Sequence, residues 1–269
     1  MDVIYNDQLI TSEEVPLSFD DRSFQYGDGL FETIMYKEGK VRFFDLHMDR
    51  LAKGLQALSI AFPVIFSEKN FQERLQQLAT LNGHSKNARI KIQVWRKSGG
   101  LYTPLNNEAN VLVTVAQPKE RPRIIHHAAV SKKIKLSYSA YSTFKTSNSL
   151  PYILAGIEMK ERNLNEIILT DTAGNISECS SSNIFWIKEG QLYTPSLSTG
   201  CISGIMRRHI IKQAVAEGRQ INEVEEPVDI LEFAENVFCC NVTGVYAFER
   251  IDAIKFDTDL PEYINRWTI

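Results

Sequence analysis

The chain has 269 residues, 43% hydrophobic and 23% charged, the balance of an ordinary globular protein with room for one or two domains. Its net charge of −3, from 33 acids and 30 bases, gives no general basic field and argues against nucleic acid as a partner. No run approaches the ~18 apolar residues that span a bilayer, so no membrane partner is expected.

The acidic start, Met1-Asp2-Val3-Ile4-Tyr5-Asn6-Asp7, does not have the basic and apolar regions of a signal peptide. Cys179, Cys201, Cys239 and Cys240 form no CxxC and no framework spacing. Reduced cysteines in a cytoplasmic protein are therefore expected.

In chain order, Val3-Ile4-Tyr5 and Leu30 to Tyr36 read as strands, the second turning through Lys37-Glu38-Gly39-Lys40 into Val41-Arg42-Phe43-Phe44. From Asp45, a plausible N-cap, Leu51, Leu55 and Leu58 recur at helical spacing. A second helix is predicted from Ser67 to Leu81, ending at Asn82-Gly83. Ala88, Ile90, Ile92 and Val94 then alternate with polar residues as in a half-buried strand, and Asn110 to Ala116 reads as another. Gln117-Pro118-Lys119-Glu120-Arg121-Pro122 breaks the pattern, which places an N-terminal α+β subdomain at 1–117, a linker at 118–122 and a second subdomain at 123–269.

Beyond the linker, strands are predicted over 124–137, 166–170, 176–178, 183–187 and 237–241. Helices are predicted over 148–162, 203–217 and 227–235. Asp171-Thr172-Ala173-Gly174-Asn175 and Lys188-Glu189-Gly190 read as turns.

The histidines and cysteines give no metal-ligand spacing, so no metal is expected. No P-loop, GxGxxG or GxSxG is present. Three segments carry the chemical signal. Ser142-Thr143-Phe144-Lys145-Thr146-Ser147-Asn148 puts one lysine between a strand and a helix. In Gly174-Asn175-Ile176-Ser177-Glu178-Cys179-Ser180-Ser181-Ser182-Asn183, Glu178 is an acid inside an otherwise uncharged run. Gly200-Cys201-Ile202-Ser203-Gly204-Ile205-Met206-Arg207 opens a helix, whose first amides and positive dipole end suit a phosphate.

With Ser18-Phe19-Asp20-Asp21-Arg22-Ser23-Phe24-Gln25-Tyr26-Gly27-Asp28-Gly29-Leu30-Phe31-Glu32-Thr33 and His47-Met48-Asp49-Arg50-Leu51, these segments resemble the class IV aminotransferase family. Its members are fold-type IV enzymes that use pyridoxal 5′-phosphate, and the resemblance runs from about Asp20 to Asn241. It implies an α+β chain of two subdomains, a small N-terminal α/β part and a larger C-terminal mixed barrel-like part, with the cofactor between them. It further implies that Lys145 forms the Schiff base and moves the substrate proton, and that Glu178 pairs with the pyridine nitrogen. Arg50 is implied to grip the phosphate. Amides of Gly204 and Ile205, with the loop at Asn241 and Thr243, would complete the phosphate cup, while Ser180 and Ser181 would hold the Glu178 side of the ring. Met206 stands where many members have threonine, and Val242 offers no hydroxyl, so phosphate contacts at both positions are in doubt.

A small-molecule substrate and a homodimer also follow from the resemblance. The Arg-x-His pair of D-amino-acid aminotransferases is absent from Trp95-Arg96-Lys97-Ser98-Gly99-Gly100-Leu101-Tyr102-Thr103-Pro104. Phe31-Glu32-Thr33-Ile34-Met35 is similar to the family's aminodeoxychorismate lyases, as is Met206. The expected activity is therefore the lyase. The alternative is a transaminase acting on branched-chain or D-amino acids, and a cofactor-binding protein without turnover is disfavoured by the intact Lys145 and Glu178.

Overall fold

Two strands of largely alternating burial, Gly29–Lys37 and Asn87–Arg96, organise the first sheet. The structure, a computed structural model, describes residues 1–268. It divides into two units: 1–120 with Phe144–Asn148, and Arg121–Thr143 with Ser149 onward.

In the first unit, β1 (Asp2–Tyr5), β2 (Gln8–Thr11), α1 (Arg22–Tyr26), β3 (Gly29–Lys37), β4 (Lys40–Val41), α2 (Phe44–Ala57), α3 (Phe71–Leu81), β5 (Asn87–Arg96) and β6 (Ala109–Ala116) follow in chain order. The strands form one antiparallel sheet in the order β2-β1-β6-β5-β3-β4. Leu30, Ile34 and Tyr36 of β3 and Ala88, Ile90, Ile92 and Val94 of β5 turn one face to the core, as the period of two requires. Leu51 and Leu55 of α2 and Phe71, Leu75 and Leu78 of α3 pack onto that face. Burial of each such side chain contributes about 1.5–3 kcal/mol. Phe31, Thr33 and Met35 point to the other, half-buried face, where Thr33 lies opposite Lys91.

The second unit contains β7 (Ile124–Ile125), β8 (Ala128–Leu136), α4 (Leu150–Glu161), β9 (Glu166–Asp171), β10 (Ile176–Cys179), β11 (Asn183–Lys188), β12 (Gln191–Pro195), α5 (Ile205–Ala216), β13 (Ile221–Val224), β14 (Asn236–Asn241), β15 (Gly244–Phe248), β16 (Arg250–Ile251), β17 (Ile254–Lys255) and α6 (Glu262–Trp267). They build a mixed five-stranded sheet, β10-β9-β8-β16-β17, and a mixed six-stranded sheet, β13-β12-β11-β14-β15-β7. Ile168, Ile176, Ile184, Trp186, Val237 and Phe248 form a shared core for these sheets.

Several expectations need correction. Residues 123–269 do not form one uninterrupted subdomain, because Phe144–Asn148 groups with the first unit. Its backbone extends β3: Leu30 bridges Thr146, the Phe31 amide donates to the Lys145 carbonyl at 2.8 Å, and the Ser147 amide donates to Gly29 at 2.8 Å. Asp45 is not the cap of α2. The helix starts at Phe44 behind Phe43 in a left-handed conformation (φ 53°), and Asp45 sits in the first turn, where a negative charge suits the dipole. The helix from Ser67 starts only at Phe71, after a short 3-10 turn at Val64–Ser67. The 124–137 strand is broken into β7 and β8, and 227–235 is a 3-10 helix over Val228–Phe233.

Candidate functional site

The buried stripe of α2 runs His47, Arg50, Leu51, Gly54 and Leu55, at the i, i+3, i+4, i+7, i+8 spacing of one helix face. Two members of that stripe are basic because the strand beneath them carries Glu32 on its core-facing parity. Arg50 Nε and Nη2 donate to the two Glu32 oxygens at 2.7 and 2.6 Å, and His47 Nδ1 meets Oε2 at 2.6 Å. All three residues are at most 4% exposed. Burial opposes ionisation of Glu32, but the Arg50 charge and the bonds from His47 and Arg50 outweigh it and hold the carboxyl at about 2. Burial likewise pushes the His47 imidazole below its ordinary range, against the pull of Glu32. His47 Nε2 is buried without a hydrogen-bond partner. Glu32 thus occupies the Nε–Nη2 edge of the Arg50 guanidinium.

Gly54 lets the 144–148 segment approach α2. A Cβ there would stand 2.8 Å from Leu30 Cδ1 and 3.2 Å from the Phe144 ring. With Phe144 packed against the core and the neighbouring amides tied to β3, the Lys145 ammonium lies 4.7 Å from the centre of the Phe31 ring. Lys91 Nζ lies 5.3 Å from the same centre. Burial, with help from the Arg89 charge, lowers the Lys91 pKa. Lys91 makes no ion pair with an acid among the described residues.

In the second unit, β10 carries Glu178, 3% exposed, past a register shift between Ile176 and Glu178. Tyr152 of α4 donates to Glu178 Oε1 at 2.6 Å, and Asn183 Nδ2 donates to Oε2 at 3.3 Å. Burial and the Glu178 charge push the Cys201 thiol up to about 12, so it is protonated at neutral pH. The four cysteines are free and buried.

Ser180 sits beside Glu178, but its hydroxyl donates to Glu166 Oε1 at 2.5 Å, and its amide donates to the same oxygen at 3.2 Å. Glu166 also pairs with Arg121 at 2.9 Å. Ser180 therefore fixes the turn after β10 rather than offering its hydroxyl to a ring. On the exposed Ser181 it is the carbonyl that is engaged, by Asn241 Nδ2 at 3.2 Å, and that amide also bonds Ser182 Oγ at 3.0 Å.

The Thr243 amide and hydroxyl both turn back onto Asn241 Oδ1, at 2.8 and 2.5 Å, and the hydroxyl meets Tyr246 at 2.6 Å. Thr243 is thus spent on its own loop, and the hydroxyls missing at Met206 and Val242 are not replaced from there.

Gly204 opens α5 with no side-chain cap. Its own amide donates to Ile202 at 2.9 Å, which corrects the expectation that this amide serves a ligand and leaves the first turn from Ile205 to do so. A Cβ on Gly204 would fall 1.9 Å from Asn183 Oδ1, so the backbone here is a cradle only glycine allows.

Arg50 and Lys145 thus share the first unit, while Glu178, Ser180, Ser181, Gly204, Ile205, Asn241 and Thr243 share the second. Sequence reasoning passed over Glu32, His47, Lys91 and Tyr152. Glu32 was detectable as an acid on the apolar parity of β3, opposite two bases three residues apart. Lys91 was hidden among ordinary outward-facing polar residues, and Tyr152 carried no signal.

The family model for amino-transferase class IV matches residues 29–251. The aminodeoxychorismate lyase of Vibrio harveyi is 27% identical over 256 residues, covering 92% of this chain and 91% of that one. A D-alanine aminotransferase of Listeria monocytogenes is also 27% identical, over 265 residues, covering 95% and 89%. Among solved structures, a T.th. branched-chain amino acid aminotransferase with pyridoxamine 5′-phosphate superposes with a TM-score of 0.86 at 22% identity, covering 99% of this chain and 91% of that one.

Proposed function

Because the chain belongs to the class IV aminotransferase family and is a pyridoxal 5′-phosphate enzyme, we propose that it is a 4-amino-4-deoxychorismate lyase that releases 4-aminobenzoate and pyruvate for folate synthesis. The residues fit the cofactor. A buried arginine is oriented by Glu32, an uncapped twelve-residue helix begins at a glycine cradle, and a buried carboxylate takes donors from Tyr152 and Asn183. When bound, the cofactor supplies an electron sink joined to the carbon that bears the substrate amine. Arg50 and the first amides of α5 would hold its phosphate, and Glu178 would keep its pyridine nitrogen protonated. Lys145 Nζ would take the proton from the amine-bearing carbon and later deliver one to the departing enolpyruvyl group.

The observation that carries the lyase reading is Lys91. Its ammonium shares the Phe31 ring with Lys145, so the two nitrogens lie within about 10 Å of each other. A second, acid-free cation at that remove suits a carboxylate set across a ring from the amine, as in 4-amino-4-deoxychorismate. In an α-amino acid the carboxylate sits on the amine-bearing carbon itself. Elimination also ends in an aromatic ring, so the site needs no tight α-carboxylate trap, in keeping with the missing Arg-x-His pair.

One other reading, a transaminase, is favoured by the D-alanine aminotransferase above, which is equally similar at 27% identity. The test is direct. Given 4-amino-4-deoxychorismate and no keto acid, the protein should form pyruvate and 4-aminobenzoate in equal amounts. Lys91→Met should raise KM about tenfold, the size of one lost charge-assisted contact, with a smaller effect on kcat. Fast ping-pong transfer with branched-chain or D-amino acids, and no 4-aminobenzoate, puts the transaminase first. The same reading carries a homodimer, checked by light scattering, and a cytoplasmic location.

A further inference from the structure

Glu178 is fastened unevenly. Tyr152 donates to Oε1 at 2.6 Å, the short length typical of a hydroxyl on a carboxylate. Asn183 Nδ2 reaches Oε2 only at 3.3 Å, because the same amide nitrogen also donates to the Ile202 carbonyl at 2.7 Å. The tyrosine is itself held in place. Tyr152, Ala155 and Met159 form the inward stripe of α4, packed with Leu136, Ile167 and Leu169, while Leu150, Ile153, Leu154 and Ile157 face outward.

We propose that Tyr152 is a positioning residue for the cofactor, anchoring Glu178 Oε1 so that the other carboxylate oxygen is aimed at the pyridine nitrogen; this rests on the reading of Glu178 as the acid that pairs with that nitrogen. Without the phenol, Oε1 would lose its 2.6 Å bond, and the angle of the carboxylate about its last torsion would be set less firmly. Burial and the Glu178 charge together raise the Tyr152 pKa, so the donor stays protonated across the working range.

The experiment titrates pyridoxal 5′-phosphate into cofactor-free wild type, Tyr152→Phe, Glu178→Ala and the double variant. Tyr152→Phe keeps the packed ring and should lower the melting temperature by only a few degrees, yet weaken binding by up to about tenfold, the most that one hydrogen bond to a charged group would give. In the Glu178→Ala background the same change should add nothing, since the bond it removes is already gone. In the loaded enzyme, kcat should fall while substrate KM holds. A fluorinated tyrosine at position 152, the same shape with a stronger donor, should tighten binding rather than weaken it, and it serves if Tyr152→Phe does not fold. Wild-type affinity in Tyr152→Phe, additive losses in the double variant, or indifference to fluorination would each overturn the proposal. If Glu178→Ala binds the cofactor like wild type, the reading of Glu178 fails first, and this proposal with it.

Discussion

Glu32→Gln tests whether the buried Glu32–Arg50–His47 cluster holds the first unit together. The substitution keeps the shape and one acceptor but removes the charge that Arg50 and His47 both face. The folded carboxyl titrates at about 2 against an ordinary 4.5. At ~1.4 kcal/mol for each tenfold in proton affinity, that difference corresponds to about 3 kcal/mol. Removing one partner of a buried ion pair leaves an uncompensated charge and costs about 3–5 kcal/mol, so two routes meet near 3.

The sign fixes a pH window. Because the folded carboxyl lies below its unfolded value, its stabilisation is fully present above pH 4.5 and is lost as pH falls towards 2. His47, also depressed in the fold, adds loss below pH 6.5, where the unfolded chain takes up the proton first. Urea unfolding at a series of pH values measures both effects. Wild type should lose stability in acid, while Glu32→Gln should be about 3 kcal/mol weaker at pH 7 and less sensitive between pH 4.5 and 2. A variant within about 0.5 kcal/mol of wild type at pH 7, with the same acid profile, would refute the reasoning.

Two further outcomes follow from the geometry. Gly204→Ala places a methyl on Asn183 Oδ1, and moving that side chain breaks its bonds to Ile202 and Glu178; stability should drop by about 2 kcal/mol and cofactor affinity with it, checked by melting and titration. Borohydride reduction of the yellow protein and peptide mapping should find the pyridoxyl group on Lys145, and a label on another lysine would remove it from that role.

Where local pattern and burial agree, the sequence is enough: the alternation in β5 and the helical spacing in α2 lie where their periods put them. Errors gather where tertiary contacts override local chemistry. Asp45 is a good cap by type, yet Phe43 takes the left-handed turn instead. For the candidate site, the motif segments point to Lys145, Glu178 and Arg50, but not to how their side chains are held. Ser180 reads as a ligand contact by position, and only Glu166, fourteen residues earlier on a neighbouring strand, shows that its hydroxyl is already committed. Tyr152 meets Glu178 across 26 residues of sequence, a pairing that no local spacing encodes.

The tie between β3 and the Phe144–Asn148 segment bears on how the chain is made. On a ribosome, every strand of the first sheet is synthesised by Ala116, but the segment that completes the β3 edge comes about 30 residues later, a delay of roughly 1.5–6 s at ~5–20 residues per second. Over that interval the Phe31 amide and the Gly29 carbonyl form an open edge on a nascent chain, the kind of surface that recruits strands from other chains. Lys145 arrives as part of the piece that closes this edge, so the order of synthesis delivers it only after the sheet that its backbone joins.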